Sequence, residues 1–446
     1  VVEDSLDSIT DAIAWSMQIS KREGAPTIVL SNLRAANSST SGGGTASGPC
    51  SFALVFDAAA AAMLRPGKKN GVLVMFLDAD HPDIDEWLQL KPEMVRGYLG
   101  VLIRPTTKIT PQLLDKLATA YDQREIDFIC KTTEALNGET LYPNVCTEIR
   151  QSHKGSCTLA AIRVYELANQ DYDYWSNTGK EIGKYFQNTV VPKMIKAAKQ
   201  NPNLYKWDNQ IGIGLVGFAN LLLHERCTYA GMVEAYRENV QPSIQAGFFD
   251  IDLDTEVLDP HTSLWFKLIV MWKSISDQLP KLDRILTQQP TAATALRCKD
   301  NGFSVAPELA PPYAVLGSDG LARSVIASAL NGSKEVVYPV GIELRDDVPC
   351  EVYHEFLEQI QEVWIFLDCA HTISFSSWYD TFTRDHLTRF IVSDLGSLYY
   401  RLDPTPASTF SKTETWDSEG DISDLFEPVA EVTSCSDRGF CEVCSM

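Results

Sequence analysis

Short apolar runs at residues 27–30, 72–77 and 98–103 alternate with stretches patterned as helices, and this alternation constrains the fold more than any other feature of the chain. Residues 8–21 carry Ile9, Ala12, Ile13, Met17 and Ile19 behind the acidic start Asp4-Ser5-Leu6-Asp7, which predicts an amphipathic helix with acids at its N-terminus. Ser47-Gly48-Pro49 opens an Ala-rich helix running through Leu64, His81-Pro82-Asp83-Ile84 starts another with Pro near the first turn, and residues 111–121 form a third. Further on, residues 157–162 read as a strand and 353–366 as a helix. Residues 373–376 and 391–393 read as extended pieces, and 398–402 closes the ordered region. The class is α/β. At 446 residues the chain exceeds a simple single core, yet closed α/β barrels can run to this length as one unit.

A net charge of −21 argues against a nucleic-acid or anionic-membrane surface, so any phosphate must be held locally. No apolar run approaches the roughly 18 residues of a membrane span, and Val1-Val2-Glu3-Asp4 is not a signal peptide. A cytoplasmic location is expected, the host's cytoplasm if the source is viral. The 11 cysteines are scattered, apart from Cys435, Cys441 and Cys444, and read as reduced thiols with particular tasks rather than a disulfide scaffold.

The stretch from Leu141 to Ile149 sets Asn144, Cys146 and Glu148 at period-two spacing. In an extended segment all three project from one side. A carboxamide that orients hydroxyls, a reactive sulfur and a carboxylate that takes a proton suit chemistry on a polyhydroxylated ring. A strand with one buried Cys and two solvent-facing polar groups is the competing interpretation. Cys157 follows closely, and the two thiols can meet if their segments are neighbours. Arg34 leads a Gly/Ser loop through Gly44 that can wrap phosphate with backbone N–H groups and a guanidinium. Gly212-x-Gly214-x-x-Gly217 matches the dinucleotide fingerprint, but residues 203–210 are polar and turn-like. Close packing at a helix start is therefore expected there. Residues 250–256 form an acidic alternation without the glycine of a calcium loop, and residues 305–313 a Pro-rich loop. After Pro404 the composition turns to Ser, Thr, Asp and Glu, which reads as a mobile tail.

Taken in order, Asp4-Ser5-Leu6-Asp7, Arg34 with its loop, Ser47-Gly48-Pro49, Gly67-Lys68-Lys69, His81-Pro82-Asp83-Ile84, Asn144-x-Cys146-x-Glu148, Cys157-Thr158-Leu159, Gly212-x-Gly214, Tyr399-Tyr400 and the tail thiols resemble the catalytic large subunit of ribonucleotide reductase. The form resembled is the compact, phage-like one without an N-terminal ATP cone. The resemblance implies a ten-stranded α/β barrel of two antiparallel five-stranded halves, with Cys146 on a central finger loop. It implies a catalytic barrel over residues 1–402, dimer and effector helices at 8–21 and 53–64, and a redox-active tail at 403–446. A first strand carrying a second redox cysteine is expected upstream of Val1.

By the same resemblance Cys146 carries a transient thiyl radical, Glu148 is the base on the ribose 3′ hydroxyl, Asn144 binds substrate, and Cys157 is one of two thiols that reduce the 2′ position. Tyr399 and Tyr400 resemble a relay bringing an oxidising equivalent from a separate ferritin-like, dimetal subunit; some cobalamin-dependent relatives also carry two tyrosines here, so it is the compact build and the lack of a His-containing cobalamin motif that lead to no cofactor being expected in this chain itself. Adenosylcobalamin is the alternative, since Gly67-Lys68-Lys69 is closer to the cobalamin-type pattern. Cys435, Cys441 and Cys444 resemble the tail thiols re-reduced by thioredoxin or glutaredoxin; a closed zinc site would need a fourth ligand, and no His or further Cys lies near them. Asp4, Ser5, Arg34, Lys68 and Lys69 resemble the site for a dNTP or ATP effector. Gly24, Ala25, Pro307 and Glu308 are the implied ribonucleotide substrate contacts, although Glu308-Leu309 and the Pro-Pro pair replace the Ser/Thr-rich phosphate loop of the family. A homodimer is expected, with no resident metal. A binding protein that kept the barrel and lost catalysis is disfavoured, because Asn144, Cys146, Glu148, Cys157 and both tyrosines survive together.

Overall fold

The computed structural model describes residues 1–63, 72–90, 94–135, 138–247, 258–289, 305, 313–316, 322–325, 343 and 345–402. Nine strands form one mixed sheet. In spatial order they are Thr27–Val29, Val74–Asp78, Tyr98–Ile103, Phe128–Lys131, Ser397–Leu398, Ala370–Phe375, Arg284–Gln288, Gln210–Val216 and Leu159–Arg163. Neighbours run parallel except at one seam, where Ser397 and Leu398 pair antiparallel with Cys130 and Ile129. Parallel neighbours need long crossovers, and helices supply them: Gly48–Ala61 between Thr27–Val29 and Val74–Asp78, and Pro111–Asp122 between Tyr98–Ile103 and Phe128–Lys131.

The closed ten-stranded barrel expected from the family is not what the described residues form. Nine strands pair, and the end strands Thr27–Val29 and Leu159–Arg163 share no hydrogen-bonded ladder. The outer edge of Thr27–Val29 is partly taken by the chain's own start, through Val2 N–H donating to Val29 O at 3.0 Å.

Period-two alternation sorts the strands into two faces. Met75, Leu77, Val101, Ile103 and Ile129 enter the large core beneath the helices. Val74, Phe76, Leu102, Phe128 and Cys130 enter a smaller cluster on the other face with Val29 and Tyr399. Apolar residues on both faces explain why these strands read as continuous apolar runs. The second face carries the candidate site.

Most expected elements stand within a few residues, but three differ. The helix expected from His81 is a single turn, Ile84–Trp87. Residues 391–393, expected as extended, end the helix Arg384–Val392, which Thr383 and His386 cap reciprocally and whose Leu387 and Phe390 are buried. Gly212 and Gly214 lie inside the strand Gln210–Val216 rather than at a helix start, and only Gly217, at φ 79°, sits at the N-cap of Phe218–Glu225. Among the described residues no helix is long and apolar enough to cross a membrane.

Candidate functional site

Strand Thr140–Pro143 folds back on Arg150–Gln151 as a hairpin, pairing Tyr142 with Gln151 and Pro143 with Arg150. Residues 144–149 are its tip. The one-sided extended segment expected here is a closed turn instead. Asn144 N–H donates to Ile149 O at 2.9 Å, Ile149 N–H donates back to Asn144 Oδ1 at 3.0 Å, and Thr147 takes the left-handed conformation at φ 64°. The turn, not strand alternation, unites the polar groups. Asn144 Nδ2 donates to Glu148 Oε1 at 2.8 Å and lies 3.8 Å from Cys157 Sγ. Asn144, Cys146 and Glu148 are all buried, with Glu148 fully so, which excludes the competing picture of two solvent-facing polar groups.

Side chains from distant parts of the chain hold the tip in place. Arg150, buried, donates to Lys131 O (2.7 Å), Thr147 O (2.7 Å), Gly396 O (2.6 Å) and Ser397 Oγ (3.0 Å). It thereby ties the turn to both strands of the antiparallel seam. Burial pushes its pKa down to about 10, so it stays charged at neutral pH. Glu148 O accepts from Thr287 Oγ1 at 3.0 Å and from Thr372 N–H at 3.2 Å, and Cys146 O accepts from Ser374 Oγ. Gly212 leaves the room Ile149 needs, since a Cβ there would come within 2.9 Å of Ile149 Cδ1. The sequence reading missed Arg150, Thr287, Thr372 and Ser374. Arg150 had a signal, a cation two residues after the carboxylate of Glu148 at the end of the same stretch; the other three are ordinary strand residues.

A cavity of about 190 Å³ opens beside the tip, and its lining includes Gly24, Ala25, Tyr142, Asn144, Val145 and Cys157. Two of the four expected substrate contacts, Gly24 and Ala25, are thus brought to Asn144 and Cys157. Across the inner cluster Tyr399 stacks on Phe128 (centroids 4.9 Å apart), Phe128 meets Tyr98 at 5.7 Å, and Tyr400 lies 4.6 Å from Tyr399. Burial holds the Tyr399 and Tyr98 phenols well toward their protonated forms, with the nearby Cys146 adding to both.

Asp4, Ser5 and Arg34 converge elsewhere. Arg34 Nε pairs with Asp4 Oδ2 at 2.6 Å, Arg34 Nη1 donates to Ser39 O at 3.0 Å, and Ser5 caps the helix Leu6–Lys21. Lys68, Lys69, Pro307, Glu308, Cys435, Cys441 and Cys444 lie outside the described residues, as does the acidic alternation 250–256 and nearly all of the Pro-rich loop. Cys157 is a free thiol, and among the described residues no group of three or more His, Cys, Asp or Glu could hold a metal ion.

Fold and site together define an α/β protein in which a tight turn buries a thiol next to a carboxylate held by a carboxamide, with a second thiol alongside. Comparison with known proteins shows what the chain resembles. Residues 1–97 match the ribonucleotide reductase barrel domain. The vitamin B12-dependent ribonucleoside-diphosphate reductase of Mycobacterium tuberculosis is 24% identical over 265 residues, covering 50% of this chain and 37% of that protein. The vitamin B12-dependent ribonucleotide reductase of Streptomyces coelicolor is 36% identical over 91 residues, 20% of this chain and 9% of that protein. The structure of the Actinobacillus ureae class Id ribonucleotide reductase alpha subunit aligns with a TM-score of 0.59 at 17% identity, covering 90% of this chain and 82% of that one, a likeness of fold. The chain is similar to ribonucleotide reductases in part of its sequence and in its fold, and it spans a little over a third of the length of the Mycobacterium protein.

These relatives correct one expectation. A ferritin-like, dimetal radical subunit, with no cofactor at this chain, was expected from the compact build and the lack of a cobalamin motif, yet the sequence relatives are named as vitamin B12-dependent. A tyrosine pair in a buried strand is equally the product of aromatic packing, as the Tyr399–Phe128 stack illustrates. It therefore could not identify a radical source.

Proposed function

We propose that this chain is the catalytic part of an adenosylcobalamin-dependent ribonucleotide reductase, which converts ribonucleotides to 2′-deoxyribonucleotides by radical chemistry. The observation that carries the proposal is the meeting of Asn144, Glu148 and Cys157 at the turn that buries Cys146. Cys146 serves as the thiyl that takes the ribose 3′ hydrogen; S–H and ribose C–H bonds are of comparable strength, and a radical so enclosed is kept from water. Glu148 takes the 3′-hydroxyl proton, and Asn144 orients both the carboxylate and the ribose hydroxyls. Cys157 is one of two thiols that together give up two hydrogens, each a proton with an electron, one taking the place of the 2′-hydroxyl and the other leaving with it as water, while the two sulfurs close as a disulfide.

When bound, adenosylcobalamin supplies the one-electron oxidant for the Cys146 thiol. The residues present fit it in kind. Val145, Tyr98 and Tyr399 give the neighbourhood of Cys146 an apolar and aromatic wall, suited to an adenosyl group and to excluding water. The 190 Å³ cavity has room for part of a nucleoside and none for a corrin ring, so the residues that would face the cofactor are those of the wall rather than of the cavity. Asp4, Ser5 and Arg34 form the effector site in this proposal, a phosphate competing with Asp4 for the guanidinium. The finer architecture belongs here too: the antiparallel seam and the hydrogen bond from Val2 to Val29 favour a barrel whose two halves, each of parallel strands, run antiparallel to one another.

The test is reduction of ribonucleotides by the purified chain with adenosylcobalamin and a dithiol. Cys146→Ser should abolish turnover while leaving nucleotide binding intact, because a serine O–H bond is too strong to be activated in the same way. Turnover by Cys146→Ser near the wild-type rate would reject the assignment.

A further inference from the structure

Helix Val191–Gln200 separates two hollows. On one side Met194 lines the cavity that holds Asn144 and Cys157. On the other, Val191, Ile195 and Leu282 floor a groove of about 630 Å³ rimmed by Lys196, Lys199 and Lys281. Among the described residues no ion pair or hydrogen bond engages the ammonium groups of these three lysines, Lys281 being held only through its carbonyl by Asn209 Nδ2, in a chain whose net charge is −21. The helix reaches the groove through a π-helical turn, Phe186–Val190, ahead of Pro192, a distortion frequent at functional sites.

An unpaired cationic rim over an apolar floor calls for an acidic ligand with apolar side chains. The chain contains one. Between residues 414 and 431 stand seven carboxylates, Glu414, Asp417, Glu419, Asp421, Asp424, Glu427 and Glu431, without a lysine or arginine and interspersed with Trp416, Ile422, Leu425, Phe426 and Val429. We propose that the segment 414–431 of the same chain docks in the Lys196/Lys199/Lys281 groove and so holds Cys435, Cys441 and Cys444 beside the cavity that contains Cys157.

From Leu402, whose N–H donates to Ser377 O, the chain to Glu414 can span up to about 40 Å when extended, about the width of nine strands at roughly 4.8 Å spacing. Ten residues from Glu431 to Cys441 span up to about 33 Å, against about 10–12 Å for the diameter of the intervening helix. Docking keeps the tail thiols at a high local concentration near the disulfide they reduce, a role that presupposes the reductase chemistry proposed above. Thiolate attack on that disulfide passes its two electrons inward, leaving Cys157 and its partner reduced and the tail pair oxidised, to be reduced by an external dithiol.

The test is made on the full chain. Lys196→Glu/Lys199→Glu/Lys281→Glu should lower turnover driven by a dithiol protein such as thioredoxin about tenfold, and leave turnover driven by dithiothreitol, which reaches the cavity unaided, within about twofold. Adding Asp417→Lys/Asp421→Lys/Asp424→Lys should restore the protein-driven rate, an effect that misfolding of the first variant could not give. A photo-crosslinker at residue 195 should attach to 414–431 of the same chain, and lose that product at high salt. Crosslinking to another region or to a second copy, or an unchanged protein-driven rate in the triple lysine variant, would overturn the docking. The tail-thiol role fails separately: in that case Cys441→Ser/Cys444→Ser would keep the full protein-driven rate.

Discussion

Replacing Arg150 by methionine removes a buried cation that donates four hydrogen bonds between 2.6 and 3.0 Å to three segments of the chain. Bonds from a charged donor contribute about 1.5–3 kcal/mol each, so the four are worth roughly 6–12 kcal/mol before any offset. The fall of the guanidinium pKa from 12.5 to about 10 shows that burial already costs the charged form about 3 kcal/mol, which the variant regains. Two of the abandoned oxygens keep another donor, Thr147 O from Ser397 Oγ at 2.6 Å and Gly396 O from Lys131 N–H at 2.8 Å. The net loss belongs at the low end, about 3–5 kcal/mol. Because Thr147 precedes Glu148 in the turn, turnover should fall as well, by about tenfold or more, from loosened geometry alone. Denaturant unfolding and steady-state turnover measured on the same preparation test both figures. Arg150→Lys, with one compact ammonium in place of a planar fork, should fall between. An Arg150→Met protein within about 1 kcal/mol of wild type, or with unchanged turnover, would refute the reasoning.

Arg34→Ala should flatten selectivity among substrate bases more than it lowers maximal rate, at a folding cost under about 1 kcal/mol because the Asp4 pair is more than a third exposed; unchanged selectivity would mean that the effector site lies elsewhere. Asp127, whose Oδ2 accepts from Leu99 N–H, has its pKa raised by burial from 3.8 to about 7. The folded state then holds the proton more tightly than the unfolded one, so this group's contribution to stability falls as pH rises from about 4 to 7. Asp127→Asn should stabilise the chain by about 1–3 kcal/mol at pH 8 and flatten that slope, which unfolding midpoints across pH would show. With adenosylcobalamin, Tyr399→Phe and Tyr400→Phe should each keep turnover within about threefold of wild type, and a loss beyond about a hundredfold in either would restore the relay.

The sequence located the strands well where both faces are buried, since Val74–Asp78 and Tyr98–Ile103 are continuous apolar runs that helical periodicity cannot mimic. It failed at residues 391–393, where Ile391 and Val392 suggested extension although the helix is set by its cap at Thr383 and by Leu387 and Phe390 beneath. In the site, the identities of Asn144, Cys146, Glu148 and Cys157 were legible because the family resemblance rests on them, but their geometry was not. Period-two spacing pointed to a strand, whereas the backbone closes on itself through the Asn144–Ile149 pair. Arg150, Thr287 and Thr372 act through carbonyls contributed by segments more than a hundred residues away or across the seam, and no local pattern in one sequence encodes such a pairing.

The tyrosine pair shows why the radical source was the hardest feature to read. Tyr399 sits where two demands coincide: its backbone continues the seam strand, with N–H on Phe375 O at 2.9 Å and C=O on Tyr121 OH at 2.5 Å, while its ring stacks on Phe128 inside the inner cluster. A stacked ring at that position closes the space beside Cys146 against water, and phenylalanine would do so equally well. Relay requires more than position, because the phenol must give up its proton as it gives up an electron. Burial, with Cys146 and Tyr400 close by, disfavours the ionised phenolate. The contacts of Tyr399 are ring stacking and backbone hydrogen bonds, both of which survive loss of the hydroxyl. A wall that shields the Cys146 thiol therefore accounts for Tyr399 without any partner subunit. The hydroxyl group alone separates wall from relay, which is why the two phenylalanine substitutions, and not larger truncations, discriminate between them.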